Sequence, residues 1–208
     1  MKSLLIIVPG SKTKTPPLIK SVFKSFYDYF GVDNKSGDWA YQLSDYVSKK
    51  SNFDVEVFEW SGGITKTFSL KPATKELSDL IENRREYDRI VLFCKSLGGV
   101  IGESATNLVG ESVDKLIYVS TPHKRRKPKL PRKTEIVNLY SNEDDFVGLA
   151  NLVLNFGGTK VIEWGKNVEL KGLKHSEFNY NKIISYDGRR EKLFDLYLRL
   201  ITSYRRQE

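Results

Sequence analysis

The sequence contains little cysteine, little histidine and no long apolar run. A single cysteine, Cys94, occurs among 208 residues, so an intramolecular disulfide is excluded and a reducing compartment is expected. No apolar run approaches the length of a membrane-spanning helix. The segment Met1–Val8 begins like a signal peptide, but its apolar part is too short, and Pro9-Gly10-Ser11 is typical of a strand that enters a loop. We therefore expect a cytoplasmic protein with no stable membrane insertion.

The charge is unbalanced, with 34 basic against 26 acidic residues and a net charge of +8. Most basic residues are dispersed, which favours solubility rather than a specific anionic partner. One cluster, His123–Lys133, is either a solvated loop or a surface for an anionic substrate or a membrane near the site. It contains no interleaved aromatic residues and no nucleic-acid-binding motif, so nucleic-acid binding is not expected.

The stretch around Ser96 predicts a strand, a tight turn and a helix. The run Ile90–Cys94 is apolar throughout, which indicates a buried parallel strand. After Ser96, apolar residues recur at helical spacing: Val100, Ile101, Ala105, Leu108 and Val109. A serine at such a junction is typical of a nucleophile elbow, which needs small residues two positions before and after it, here Cys94 and Gly98. The alternative is a serine that only caps the helix.

Strands and helices alternate along the rest of the chain. Apolar runs predict strands at Leu4–Val8, Phe53–Phe58, Ile90–Cys94, Leu116–Ser120, Ile136–Tyr140, and a sixth that begins at Val161–Trp164 and extends through Val168 and Leu170. Helical spacing predicts helices over Leu18–Phe30, after Asp38, around Leu77–Ile81, after Ser96, and from Leu193 to Tyr204. This alternation predicts an α/β fold with a mostly parallel sheet covered on both faces. No repeat or linker divides the chain, so we expect one domain over residues 1–208.

A serine nucleophile needs a base, an orienting carboxylate and amides for the oxyanion. Asp144 follows the fifth predicted strand, and His175 lies between the last strand and the last helix. The order Ser96, Asp144, His175 is the one expected for a hydrolase on a parallel sheet, whose strand ends converge at one edge. Asp145 and Glu143 remain alternatives for the acid.

Four segments together resemble a known family. Cys94–Gly99 is similar to the lipase-like G-H-S-L-G-G, 141–147 resembles an acid loop, 120–123 resembles a T-P-H segment, and Pro9-Gly10-Ser11 stands where the family has H-G-x. The chain thus resembles a small α/β-hydrolase of the lipase/esterase type. The resemblance implies a minimal fold of about six mostly parallel strands without a large cap, with oxyanion amides on Ser11 and Leu97. Cys94 and Pro9 depart from the family pattern.

The predicted function is a serine hydrolase for carboxylic esters, which include short acyl esters, lactones and thioesters, with an acyl-enzyme intermediate. We expect a small-molecule ester as partner, no cofactor, no metal, and a monomer or small homo-oligomer. The alternative is a hydrolase-fold protein that binds a ligand or partner without turnover. Gly10, Lys95 and His123 are candidate substrate-binding residues, although Lys95 could be a surface residue and His123 could pack under the basic loop. With an unperturbed His175 as base, activity should rise with pH near 6.5.

Overall fold

A six-stranded parallel sheet organises the part of the chain that the computed structural model describes, which comprises residues 1–10, 38–60, 70–124, 126–145, 147 and 159–203. The strands are β1 (Ser3–Val8), β2 (Phe53–Val57), β3 (Arg89–Lys95), β4 (Lys115–Val119), β5 (Glu135–Tyr140) and β6 (Lys166–Glu169). Their order is β2-β1-β3-β4-β5-β6, and every neighbouring pair is parallel. The strand order reverses direction at β1, and ligands bind parallel sheets beside such a switch point.

Helices cover both faces of this sheet. They are α1 (Asp38–Lys50), α2 (Lys71–Glu82), α3 (Leu97–Val109) and α4 (Leu193–Thr202). Successive strand residues point to opposite faces, so Phe93 packs with α1 and α4 while Leu92 and Cys94 pack with α2 and α3. The two apolar clusters confirm the predicted α/β architecture.

Five of the six predicted strands agree with the observed ones to within one residue at each end. The prediction for the sixth was wrong at its start, because β6 begins at Lys166. The side chain of Asn167 accepts a hydrogen bond from Ile162 N at 3.1 Å and donates one to Ile162 O at 2.6 Å. These bonds hold the segment before β6 as a turn, and Ile162 is buried by packing rather than by strand pairing.

One element was not predicted, and three predictions fall on residues that the structure does not describe. A hairpin of β7 (Ile183–Tyr186) and β8 (Arg189–Lys192), which was not predicted, separates His175 from α4. The predicted helix over 18–30, the candidate oxyanion residue Ser11 and the last predicted residue of α4, Tyr204, lie outside the described residues.

Two buried cations attach α4 to the opposite, N-terminal ends of the strands. Lys115 Nζ donates to Leu200 O at 2.9 Å and to Ser203 O at 2.6 Å, and it pairs with Glu135 at 3.1 Å. Arg89 donates to Ile201 O at 3.0 Å. Cations at a helix C-terminus stabilise the carbonyls that have no partner within the helix.

Candidate active site

Ser96 lies between the end of β3 and the start of α3 with a backbone conformation that few serines adopt. Its φ is 53° and its ψ is −126°. A positive φ costs a residue with a Cβ about 1–3 kcal/mol, so neighbouring contacts must hold it. Ser96 N donates to Val119 O at 2.9 Å, and Ser96 O accepts from Gly99 N at 2.9 Å. The turn therefore has the strand-to-helix geometry of a nucleophile elbow.

Glycines allow α3 to start this close to the sheet. A Cβ at Gly98 would overlap the carbonyl oxygen of Val8, and one at Gly102 would overlap Cys94 Sγ. Gly102 therefore accommodates a cysteine at the position where the family pattern has glycine. Cys94 is fully buried, and burial raises the pKa of its thiol, so it has a structural role, as the sequence indicated.

The structure brings together the three residues that the sequence nominated as a triad. His175 Nε2 lies 3.1 Å from Ser96 Oγ, and His175 Nδ1 lies 3.0 Å from Asp144 Oδ2. All three side chains are buried. Asp145 is exposed, whereas Asp144 turns inward and its Oδ1 accepts a hydrogen bond from Val147 N at 3.2 Å. Of the two aspartates, only Asp144 is placed to orient the histidine.

Ser120 joins this group, and the sequence reasoning missed it. Its Oγ donates to Asp144 Oδ2 and lies 2.6 Å from His175 Nδ1. Lys95 and Val119 are partners in the β3–β4 register, so Ser96 and Ser120 follow equivalent positions on neighbouring strands. A local signal was available in the sequence, since Ser120 comes directly after one apolar run and Ser96 follows another after a single lysine.

The comparisons with known proteins show the same architecture. A serine hydrolase homologue from Coxiella burnetii superposes with a TM-score of 0.52 at 13% identity, covering 96% of this chain and 83% of that one. A Xanthomonas campestris protein assigned to the α/β-hydrolase superfamily gives 0.50 at 11% identity, with 84% and 87% covered. A lipase candidate from Acinetobacter baumannii gives 0.50 at 12% identity, with 85% and 78% covered.

The chain has an α/β-hydrolase fold. No protein-family model and no curated protein sequence matches it. The fold agrees with the family resemblance inferred from the sequence, and it places the C-terminal ends of β3 to β6 at the edge where Ser96, Asp144 and His175 meet.

Within this hydrolase fold, burial makes His175 neutral. The pKa of His175 is lowered to about 4: burial is the largest cause and the nearby charge of Lys95 is the next, while the hydrogen bond that the ring donates to Asp144 and the charge of that carboxylate oppose both. Burial alone would raise the pKa of Asp144, but the hydrogen bond and charge of His175, together with the Ser120 hydroxyl, hold it below its usual range. The expectation of activity rising near 6.5 assumed an unperturbed histidine, and the burial of His175 overturns that assumption.

Lys95 is a buried residue rather than a surface one. Its side chain is 5% exposed, and no hydrogen bond or ion pair joins it to any residue that the structure describes. Burial lowers the pKa of its ammonium to about 8, and the charge of Asp144 opposes that effect. A cation therefore lies within electrostatic range of the Asp144–His175 pair.

His123 belongs to the core, which corrects its candidacy as a substrate-binding residue. The ring is 1% exposed and packs edge-on against Tyr118 and Trp164, at centroid distances of 4.6 and 6.3 Å. Its Nε2 lies 3.0 Å from Asn138 Oδ1, and burial lowers its pKa to about 4. A substrate could reach this ring only by displacing core side chains.

The two remaining described candidates lie beside the nucleophile. A Cβ on Gly10 would lie 3.0 Å from Ser96 Cβ and 3.6 Å from its Oγ, so the loop after β1 approaches the serine closely. Leu97 is the first residue of α3, where amides have no partner within the helix. Its N–H is therefore available as a donor, and its oxyanion role stays a prediction. Gly10 and Leu97 stay candidates for substrate and oxyanion binding.

The basic loop extends away from the site. It leaves the end of β4 at His123, which pairs with Thr159, and it returns to the opposite edge of the sheet, where Lys133 lies 3.5 Å from Glu111. Its described lysines and arginines are exposed. Only the first residues of the loop lie at the edge where Ser96 is found, so an effect on anionic substrates stays a prediction.

The described ranges contain neither a candidate metal cluster nor a membrane-spanning helix. Among these residues, no group of three or more histidine, cysteine, aspartate or glutamate side chains could hold a metal ion. No helix in the described ranges has the length and apolar composition to cross a membrane.

Proposed function

We propose that this chain is a serine hydrolase that cleaves carboxylic esters through an acyl-enzyme intermediate. The observation that carries the proposal is the 3.1 Å approach of Ser96 Oγ to His175 Nε2, at a strained turn and next to a buried carboxylate. The neutral imidazole of His175 presents a basic nitrogen to the hydroxyl because Asp144 accepts a hydrogen bond from the N–H at the other nitrogen.

In the proposed mechanism, Ser96 Oγ attacks the ester carbonyl carbon while His175 Nε2 takes the hydroxyl proton. The C=O π bond becomes an oxyanion that the Leu97 amide receives, together with the predicted amide of Ser11. Asp144 stabilises the imidazolium. The imidazolium then protonates the departing alkoxide, and the alcohol leaves an acyl-Ser96 ester. Water attacks this ester with His175 as base, which releases the acid and restores the serine.

We infer a preference for short acyl esters, lactones or thioesters over long triglycerides. Among the described elements no large domain covers the strand ends that carry the triad. Without a large cap, the site would contribute few apolar contacts to a long acyl chain, so chain length should add little to binding. We propose Gly10 and Lys95 as substrate-side residues of this site.

A second candidate is a hydrolase-fold protein that binds a ligand with little turnover. The buried Lys95 favours it, because its charge lowers the pKa of His175 and so weakens the base. Proton transfer is most efficient when the pKa of the base lies near the working pH. The two candidates differ in the reactivity of Ser96, which can be measured directly.

Labelling with a fluorophosphonate probe tests the proposal. The wild-type chain should take up one probe per molecule on Ser96, and Ser96→Ala should take up none. Ser104→Ala is the matched control, since its hydroxyl lies on the same helix, α3, and among the described residues it bonds only Val100 O, at 2.9 Å. Labelling should persist in this control. A wild-type chain that stays unlabelled, or a Ser96→Ala variant that is still labelled, would contradict the proposal.

A further inference from the structure

The hydroxyl of Ser120 lies between the acid and the base of the site. Its Oγ donates to Asp144 Oδ2 and lies 2.6 Å from His175 Nδ1, while Asp144 Oδ2 itself lies 3.0 Å from the same nitrogen. These three side chains form a closed triangle of hydrogen bonds. Ser120 is 2% exposed, so bulk water does not compete for its hydroxyl.

A count of donors and acceptors shows what this triangle requires. An ionised carboxylate can only accept, so the single hydroxyl proton of Ser120 goes to Asp144. Ser120 Oγ then has only lone pairs to offer His175, and Asp144 Oδ2 offers the same. Both groups therefore require the proton on Nδ1 of His175, which leaves the lone pair of Nε2 facing Ser96.

The backbone at Ser120 indicates that its hydroxyl position has a purpose. Its φ is 50°, in the region that favours glycine, and the residue is held there by a hydrogen bond from Ser120 N to Leu139 O at 2.8 Å. Glycine would adopt this turn without strain, but it would leave Asp144 Oδ2 with one donor fewer. Strain of this kind persists where a side chain must point in one direction.

We propose that Ser120 is a positioning residue, which fixes the carboxylate of Asp144 and the tautomer of His175 so that Nε2 accepts the Ser96 proton. The inference rests on the proposed hydrolase function for its kinetic consequence, and on the hydrogen-bond geometry alone for its structural one. Asp144 is held at both oxygens, by Val147 N on Oδ1 and by Ser120 on Oδ2. Loss of the second contact leaves Oδ2 with the hydrogen bond from His175 Nδ1, so the carboxylate is held less firmly against rotation.

The kinetic test compares Ser120→Ala and Ser120→Gly with wild type. We expect kcat, and the rate constant for fluorophosphonate labelling of Ser96, to fall about 10-fold to 100-fold, with KM within about 2-fold of wild type. Ser120→Gly should also have a Tm about 2–4 °C above that of Ser120→Ala, because it relieves the positive φ. Ser78→Ala is the control: it removes a buried hydroxyl that bonds only Thr74 O in α2, at 2.8 Å, and it should leave labelling unchanged.

The spectroscopic test does not depend on turnover. The chain has two histidines, and the structure assigns them opposite tautomers. Asn138 Nδ2 donates to Lys160 O and to Asn167 Oδ1, so its Oδ1 must accept from His123 Nε2. Nitrogen NMR should therefore show one Nδ1–H histidine and one Nε2–H histidine. In Ser120→Ala the Nδ1 proton of His175 should exchange with water faster, while the His123 signals stay unchanged as an internal control.

The outcomes separate the two claims. An unlabelled wild-type chain would refute the hydrolase proposal, and the NMR experiment would still decide the role of Ser120. If wild type is labelled and both Ser120 variants react within about 2-fold of it, the positioning role is refuted and the hydrolase proposal stands. A wild-type His175 in the Nε2–H form, or an equal loss of labelling in Ser78→Ala, would also overturn the role.

Discussion

Replacing Lys95 with methionine should move the acid limb of the pH–rate profile to higher pH. The pKa of His175 is lowered from the ordinary value of 6.5 to about 4. This lowering means that the folded site favours the neutral ring over the charged ring by about 3 kcal/mol more than water does. Burial is the largest cause, and methionine would preserve it because it fills a similar volume. The charge of Lys95 is the next cause and would be lost. We expect the midpoint of the acid limb to rise by about 1 pH unit, which corresponds to about 1.4 kcal/mol. It should stay below pH 6.5 because the burial of His175 remains.

The sign of the effect follows from which form of His175 is reactive. Only neutral His175 can accept the Ser96 proton, so kcat/KM falls as pH falls through the pKa of the histidine in the free enzyme. Lys95→Met raises that pKa, so the variant loses activity at a pH where wild type is still active. The stronger base should also give an equal or higher rate on the plateau at neutral pH.

The assay measures kcat/KM for a neutral short-chain ester across the acid limb, with brief exposure to each pH. Lys127→Met is the matched control, because it removes the same charge from an exposed position of the basic loop, where solvent and salt screen it. A wild-type midpoint near 6.5 would refute the burial argument. An unchanged midpoint in Lys95→Met, or an equal shift in Lys127→Met, would refute the role assigned to the lysine.

Three further predictions address the acid, acid stability and the elbow. Asp144→Asn should lower kcat by about 10⁴-fold, whereas Asp145→Asn, at an exposed position, should change it little. Steady-state kinetics of both variants measures this ranking, and a larger loss in Asp145→Asn would transfer the role of the acid to Asp145. Both buried histidines have pKa values of about 4 in the folded chain, so the unfolded chain binds more protons than the folded chain between pH 6.5 and 4. The free energy of unfolding should therefore fall on acidification across this window, by about 2 kcal/mol per histidine at pH 5. Urea unfolding at pH 7 and pH 5 should show that His123→Gln loses less free energy of unfolding on acidification than wild type does. An equal loss in the two proteins would count against a lowered pKa for His123. Gly102→Ala should destabilise the fold by about 1–3 kcal/mol, since its Cβ meets Cys94 Sγ, and Cys94→Ala in the same chain should recover much of the loss in thermal unfolding.

The fold was predictable because its signals are local. Buried parallel strands must be apolar on both faces, so β1, β3 and β4 contain unbroken apolar runs, and the run in β5 is interrupted only by Asn138. Asp144 and His175 were found because each follows a strand in the order that the elbow required. Position relative to strand ends was enough to nominate them, without any knowledge of distances.

The differences arise where side chains act over long sequence separations. Ile162 packs against the sheet, which accounts for its apolar side chain. The two hydrogen bonds between the Asn167 side chain and the Ile162 backbone hold this residue in a turn rather than in a strand. The β7–β8 hairpin has a local sequence signal that was overlooked, the dipeptide Asp187-Gly188, which is typical of two-residue hairpin turns. Both residues have a positive φ in the structure, as such turns require. The burial of Lys95 depends on elements distant in sequence, and no local pattern distinguishes it from an exposed lysine.

The site uses four consecutive strands of the sheet, one residue from each. Ser96 follows β3, Ser120 follows β4, Asp144 follows β5 and His175 follows β6. Neighbouring strands lie about 4.8 Å apart, so β6 stands roughly 14 Å from β3, and the residue that must touch Ser96 comes from the most distant strand. His175 therefore needs the longest connection of the four, and it reaches the serine across Asp144 and Ser120. In this arrangement, a displacement of the loop after β6 changes the distance from Nε2 to Ser96 directly, and the hydrogen bonds of the two intervening side chains oppose such a displacement.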